Sequence, residues 1–133
     1  MDSNRKAVLC LAQDELTLRV RRMLLEHFGY AVLCTDSVKQ MRNLLRDACP
    51  DMLLLDTNDP SIDCEQVAGS AKAICPDLVS VVLTPEHGVL KCDGGSVDRY
   101  LKIDGPREEW LSEFESLFKQ QSGYGTNFSN SAP

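Results

Sequence analysis

One aspartate at the end of an apolar segment is the residue best placed to do chemistry in this chain. Asp56 follows the apolar run 52–55, and the polar segment 57–63 comes directly after it. A continuous apolar run of this length predicts a strand buried on both faces of a parallel sheet. Open α/β sheets carry their functional groups at the carboxyl ends of such strands. Asp56 is therefore the first candidate site residue.

Two later apolar runs end in residues that complement a carboxylate. Thr84 follows the run 79–83, and Lys102 follows the segment 97–101. A carboxylate can act as a nucleophile towards phosphorus and form an acyl phosphate. A hydroxyl and an ammonium can then bond to the phosphoryl oxygens and neutralise their charge. The three residues together predict a phosphoryl-transfer site.

Short apolar runs that alternate with amphipathic stretches must position these residues. Strands are predicted over 6–11, 30–34, 51–55, 79–83 and 97–101. Helical spacing predicts helices over 15–28, 38–48, 67–74 and 110–118. In the first helix the apolar face is formed by Leu16, Val20, Met23, Leu24 and His27, with Asp14 as the N-cap. Strands that alternate with helices indicate an α/β fold with a doubly wound, five-stranded parallel sheet.

Composition limits the classes of protein that the chain can belong to. Its 133 residues suit one domain, predicted over 1–120, and a flexible polar tail is predicted over 121–133. The net charge of -6 argues against direct binding to nucleic acid or to an anionic membrane. No apolar run is long enough to span a bilayer, so we expect a cytoplasmic location.

The cysteines do not form a recognisable metal or redox motif. No two of them lie within a few residues of each other, which excludes a CxxC pair. We expect reduced and mostly buried thiols at Cys10, Cys34, Cys49, Cys64, Cys75 and Cys92.

The order and spacing of these features resemble the receiver domain of bacterial two-component response regulators. The resemblance rests on Pro-Asp-Met-Leu-Leu-Leu-Asp at 50–56, Asp-Pro-Ser-Ile-Asp at 59–63, Val-Val-Leu-Thr at 81–84 and Lys102. It covers about residues 5–120 and implies the flavodoxin-like strand order 2-1-3-4-5.

The resemblance also implies a role for each site residue. Asp56 corresponds to the phosphoacceptor, Thr84 to the switch hydroxyl and Lys102 to the phosphate-pairing lysine. Asn58 and Glu86 correspond to positions that tune hydrolysis of the acyl phosphate. A stand-alone signalling domain with no enzymatic activity of its own is the implied function.

The sequence departs from the receiver pattern at the metal site. Receivers have two acids where this chain has Ala12 and Gln13. The remaining candidate ligands are Asp56, Asn58, Gln13 and Asp14, and we expect Asp14 to be used as a helix cap. Because Mg²⁺ prefers hard anionic oxygen ligands, we expect it to bind weakly or not at all.

Other departures concern signalling. Arg99 replaces an aromatic switch residue, and we expect it to stay at the surface near an acid such as Asp98 or Glu86. Ile103 replaces a proline whose preceding bond is commonly cis, so we expect a trans bond after Lys102. The fourth helix of the family is shortened within 85–95.

Two functions follow from these features. Asp56 is either phosphorylated in a phosphorelay, or the chain is a pseudo-receiver that binds partners in one fixed state. The expected partner is a histidine kinase or another signalling protein, with a homodimer left open. An enzyme that uses Asp56 for hydrolysis is disfavoured, because no general base is visible beside it.

Overall fold

The computed structural model of the protein describes residues 5–56, 62–85 and 95–131. The chain divides into two compact units, Met1–Ile103 and Asp104–Pro133. Within the described residues, no helix is long and apolar enough to cross a membrane.

The first unit is built on a parallel sheet. Its strands lie in the order β2-β1-β3-β4-β5, and every neighbouring pair is parallel. The strands are β1 Ala7–Ala12, β2 Ala31–Thr35, β3 Met52–Asp56, β4 Val79–Thr84 and β5 Arg99–Lys102, and the helices between them are α1 Glu15–His27, α2 Val38–Ala48 and α3 Cys64–Ile74. This confirms the predicted fold class and strand order. The predicted shortening of the helix between β4 and β5 concerns a segment that lies mostly outside the described residues.

The two faces of the sheet carry different sets of side chains, and α2 and α3 pack against one of them. Leu9, Leu11, Leu53 and Leu55 are fully buried in one cluster with residues of α2 and α3. Because side chains alternate along a strand, the residues between them belong to the opposite face. Asp56 belongs to that opposite face, as does its register partner Ala12.

The packed side of α1 differs from the one predicted. Leu16, Val20 and Met23 are 66%, 44% and 70% exposed, and His27 is exposed as well, whereas Leu25 is fully buried. The prediction that these residues form a core-facing stripe, with His27 packed inside it, is wrong. The helix carries apolar residues on both sides, and the side with Leu25 is the one that is buried.

The helix termini are capped by side chains and by a glycine, and Asp14 is the cap that the sequence predicted. Asp14 caps α1, and its Oδ2 accepts hydrogen bonds from Thr17 N at 2.9 Å and from Thr17 Oγ1 at 3.0 Å. Ser37 caps α2 through a bond from Gln40 N. Gly29 follows α1 with φ +101°, a conformation that favours glycine.

A disulfide corrects the prediction of uniformly reduced thiols. Cys49 and Cys75 are bonded to each other, with their Cα atoms 5.8 Å apart. They are the C-caps of α2 and α3, so the bond joins the ends of two consecutive helices. Among the described residues Cys10, Cys34 and Cys64 remain free.

The second unit contains α4, Arg107–Ser131. Its first turn follows Pro106, whose carbonyl oxygen accepts from Trp110 N at 3.2 Å. Glu108 and Glu109 lie in the first turn, where carboxylates interact favourably with the helix dipole. The helical backbone continues into the segment 121–131, and the predicted domain boundary at 120 stays a prediction.

Candidate functional site

Asp56 is the last residue of β3 and is almost completely buried. Its side chain lies at the carboxyl edge of the sheet, and the residue is 6% exposed. Its register partners are Ala12 on β1 and Leu83 on β4, neither of which carries a polar side chain. The local sequence thus provides an apolar setting for a carboxylate, which must find its partner on another element.

That partner is Arg21, from the middle of α1. Arg21 Nε donates to Asp56 Oδ2 over 2.5 Å, and the two side chains are 15% and 4% exposed. Arg21 and Leu25 are one helical turn apart, on the side of α1 that is packed. A buried charge is retained where it is paired and hydrogen-bonded, and Arg21 supplies both interactions.

Burial and Arg21 act in opposite directions on the pKa of Asp56. Burial raises the pKa of its carboxyl above the usual value, since desolvation disfavours the charged form. The charge and hydrogen bond of Arg21 lower the pKa and so oppose that rise. Arg21 is therefore the group that favours the ionised carboxylate at this buried position.

Thr84 and Lys102 end the next two strands at the same edge of the sheet. They are register partners of each other, at the last positions of β4 and β5. Lys102 is exposed, and the backbone N–H of Ile103 donates to the Thr84 carbonyl oxygen at 2.8 Å. The bond between Lys102 and Ile103 is trans, as predicted. The structure thus puts all three predicted strand-end residues on consecutive strands.

The described residues around Asp56 do not fit a Mg²⁺ site. Ala12 places a methyl group opposite Asp56, and the carboxylate of Asp14 is engaged in capping α1. One oxygen of Asp56 is engaged by Arg21. Across the described ranges there is no group of three or more His, Cys, Asp or Glu residues that could hold a metal ion. Gln13 is exposed, and Asn58 lies outside the described residues.

Glu65 forms a junction that sequence reasoning missed. From the first turn of α3, its Oε1 accepts from Ser96 N at 2.6 Å and from Val97 N at 3.3 Å. Its Oε2 accepts from the Tyr100 hydroxyl at 3.0 Å. The carboxylate therefore fastens α3 to β5 and to the segment that leads into it.

An ion pair at the other end of α3 contacts the same segment before β5. Lys72 Nζ lies 2.7 Å from Asp98 Oδ2, and the same oxygen accepts from Ser80 N at 2.8 Å. Arg99 Nε donates to the Asp98 carbonyl oxygen at 3.4 Å, and the side chain remains partly exposed. Arg99 therefore bonds to the backbone of Asp98 and remains in part at the surface. Glu86, the other predicted neighbour, lies outside the described residues.

Cys10 lies below the candidate site and is not a competing nucleophile. It belongs to the same face of the sheet as Ala12 and is fully buried. Burial raises the pKa of its thiol, and the nearby Cys34 and Asp56 raise it further. The thiol is therefore neutral at physiological pH, whereas the thiolate is the reactive form.

The fold is that of response regulator receiver domains. No protein-family model and no curated protein sequence matches the chain. Solved structures do match it over most of its length. The signal receiver domain of an HD domain-containing protein from Pseudomonas fluorescens Pf-5 superimposes with a TM-score of 0.78 at 19% identity, covering 95% of this chain and 96% of that one.

Two further structures agree with this assignment of the fold. A CheY-like receiver domain protein from Methanospirillum hungatei JF-1 has a TM-score of 0.77 at 16% identity, covering 91% of this chain and 99% of that one. The response regulator TrrA from Thermotoga maritima, in complex with Mg²⁺–BeF, has a TM-score of 0.70 at 17% identity, covering 84% and 98%. At these identities the likeness defines the fold, and the function must be argued from the site.

Proposed function

We propose that this protein is a signalling receiver domain that acts as a protein–protein interaction module, without Mg²⁺-dependent phosphorylation of Asp56. The ion pair between Asp56 and Arg21 carries this proposal. An oxygen that accepts a short hydrogen bond from a guanidinium is a weaker nucleophile than a free carboxylate oxygen. Ala12 and Asp14 provide no second anionic ligand that could bring a metal to the site.

A second function is favoured by the strand ends. Thr84 and Lys102 follow Asp56 on consecutive strands, where a hydroxyl and an ammonium would bind a phosphoryl group on Asp56. In this alternative Asp56 is the phosphoacceptor of a phosphorelay and a histidine kinase is the donor. Asn58 and Glu86 would then tune hydrolysis of the acyl phosphate.

The proposed partner is another signalling protein. Leu16, Val20 and Met23 form an exposed apolar stripe on α1, which is the kind of surface that protein partners cover. A negative net charge of -6 disfavours nucleic acid as the partner. A second copy of the chain could cover the same stripe, and sedimentation analysis over a range of concentrations would detect such a homodimer.

Intact-protein mass spectrometry separates the two functions. The protein is incubated with acetyl phosphate and Mg²⁺, beside an Asp56→Asn control. We expect no added phosphoryl group on either protein. If a phosphoryl group appears on the wild-type protein and is absent from Asp56→Asn, the phosphorelay function is supported and the proposal of an interaction module without phosphorylation is refuted.

A further inference from the structure

The cation at the candidate site is provided by the protein itself. Arg21 contacts the Asp56 carboxylate, and it approaches from α1. Its side chain is 15% exposed, so the guanidinium is largely removed from water together with its partner. Such a pair is held in place because separating it leaves a buried charge uncompensated.

We propose that Arg21 is a resident cation that takes the place of a divalent metal at Asp56 and holds the site in one state whatever the Mg²⁺ concentration. This inference rests on the proposed function and adds the means by which the state is fixed. Arg21 is a positioning residue, because it acts through the Asp56 carboxylate.

Three observations point to replacement rather than to an incidental surface contact. The residue opposite Asp56 in the β1 register is Ala12, whose methyl group cannot act as a ligand. Asp14, the acid nearest to Ala12 along the chain, instead accepts hydrogen bonds from Thr17 as the cap of α1. Arg22, the next residue to Arg21, shows what an incidental contact looks like: it pairs with Glu26 at 3.6 Å, and both side chains are about half exposed.

The position of Arg21 also ties the site to a helix. Asp56 ends β3, whereas Arg21 lies in the second turn of α1, 35 positions earlier in the chain. The guanidinium thus joins the carboxylate at the end of β3 to a packed helix. Removing the guanidinium should therefore open the carboxylate to external cations and loosen the contact between α1 and the end of β3.

The test is Mg²⁺-dependent thermal stability of the wild-type protein, Arg21→Met, Arg22→Met and Arg21→Met/Asp56→Asn. Met keeps the length and apolar stem of Arg without its charge. We expect the unfolding midpoint of Arg21→Met to rise as Mg²⁺ is added, because Mg²⁺ then neutralises the bare carboxylate. The wild-type protein and Arg22→Met should not respond, and the double variant should lose the response.

A second measurement keeps the inference testable if Arg21→Met does not fold. In the wild-type protein the Nε–H proton of Arg21 should exchange slowly with water, and its NMR signal should shift in Asp56→Asn. The Nε–H signal of Arg22 should do neither. The inference would be overturned if the Nε–H proton of Arg21 exchanged as fast as that of Arg22. It would also be overturned if the thermal unfolding midpoint of the wild-type protein rose with Mg²⁺.

The outcomes separate this inference from the proposed function. Phosphoryl transfer to the wild-type protein would remove the interaction-module function. The resident cation would still stand if Mg²⁺ stabilised Arg21→Met alone and the Arg21 signal were protected. Conversely, the wild-type protein could gain no phosphoryl group while the Nε–H proton of Arg21 exchanges as fast as that of Arg22. That result would support the proposed function and contradict the resident cation.

Discussion

The junction at Glu65 gives a prediction whose magnitude follows from its hydrogen bonds. In Glu65→Ala, the bonds from Ser96 N, Val97 N and the Tyr100 hydroxyl are all lost. Hydrogen bonds to a charged group contribute about 1.5–3 kcal/mol each when buried. Glu65 is partly exposed, so water replaces some of this interaction, and we expect a loss of about 3 kcal/mol in the free energy of unfolding.

Two companion variants divide this loss. Tyr100→Phe removes one of the three bonds and should cost about 1 kcal/mol. Glu26→Ala removes an exposed pair one turn from Arg22 and should cost only about 0.3–0.5 kcal/mol. It therefore serves as the matched control for loss of a glutamate.

Urea denaturation followed by circular dichroism measures all three variants under the same conditions. From most to least destabilised, we expect the order Glu65→Ala, Tyr100→Phe and Glu26→Ala. A Glu65→Ala midpoint equal to that of Glu26→Ala would mean that the junction does not hold α3 against β5. Equal losses in Glu65→Ala and Tyr100→Phe would mean that the backbone contacts contribute nothing.

The remaining predictions concern acidity, redox state and capping. Because burial raises the folded-state pKa of Asp56 above 3.8, its contribution to stability is fully present below pH 3.8 and is lost as the pH rises through the folded-state pKa. The stability of the wild-type protein relative to Asp56→Asn should therefore fall as the pH rises from 3.8 through the folded-state pKa, and it should fall more steeply in an Arg21→Met background. Urea denaturation midpoints at a series of pH values measure this. The Cys49–Cys75 disulfide spans 26 residues, for which the chain-entropy relation gives about 3.5 kcal/mol. Reduction should therefore lower the free energy of unfolding by about that amount. A thiol titration that finds every cysteine free would contradict the disulfide. Asp14→Ala should cost about 1 kcal/mol through loss of the α1 cap, with no gain or loss of Mg²⁺ response in a calorimetric titration.

The sequence was sufficient for the fold because its signals are local. Apolar runs that alternate with amphipathic stretches predict parallel strands joined by helices, and the strand ends then locate Asp56, Thr84 and Lys102. The helix cap at Asp14 was also predictable, since capping depends on the residues of one turn.

The packed side of α1 was not predictable in the same way. The helix has apolar residues around most of its circumference, so spacing alone does not select the side with Leu25 over the side with Leu16 and Met23. The predicted apolar face did not include Arg21 and gave that residue no role. Its contact with Asp56 is a tertiary pairing between residues 35 positions apart, for which the local pattern gives no signal.

The same limit applies to the other long-range contacts. Glu65 and Ser96 are separated by 31 positions, and Cys49 and Cys75 by 26. Pairing of cysteines cannot be deduced from their spacing when no short motif is present. Only the folded arrangement of α2, α3 and β5 brings these partners together.

The disulfide also makes part of the chain a closed covalent ring. The ring runs from Cys49 through β3 and α3 to Cys75, so both Asp56 and Glu65 lie within it. A protease that cuts once between these cysteines would leave two fragments that remain joined at the mass of the uncut protein plus one water. The fragments would separate only after reduction, and the cut would be invisible on a non-reducing gel.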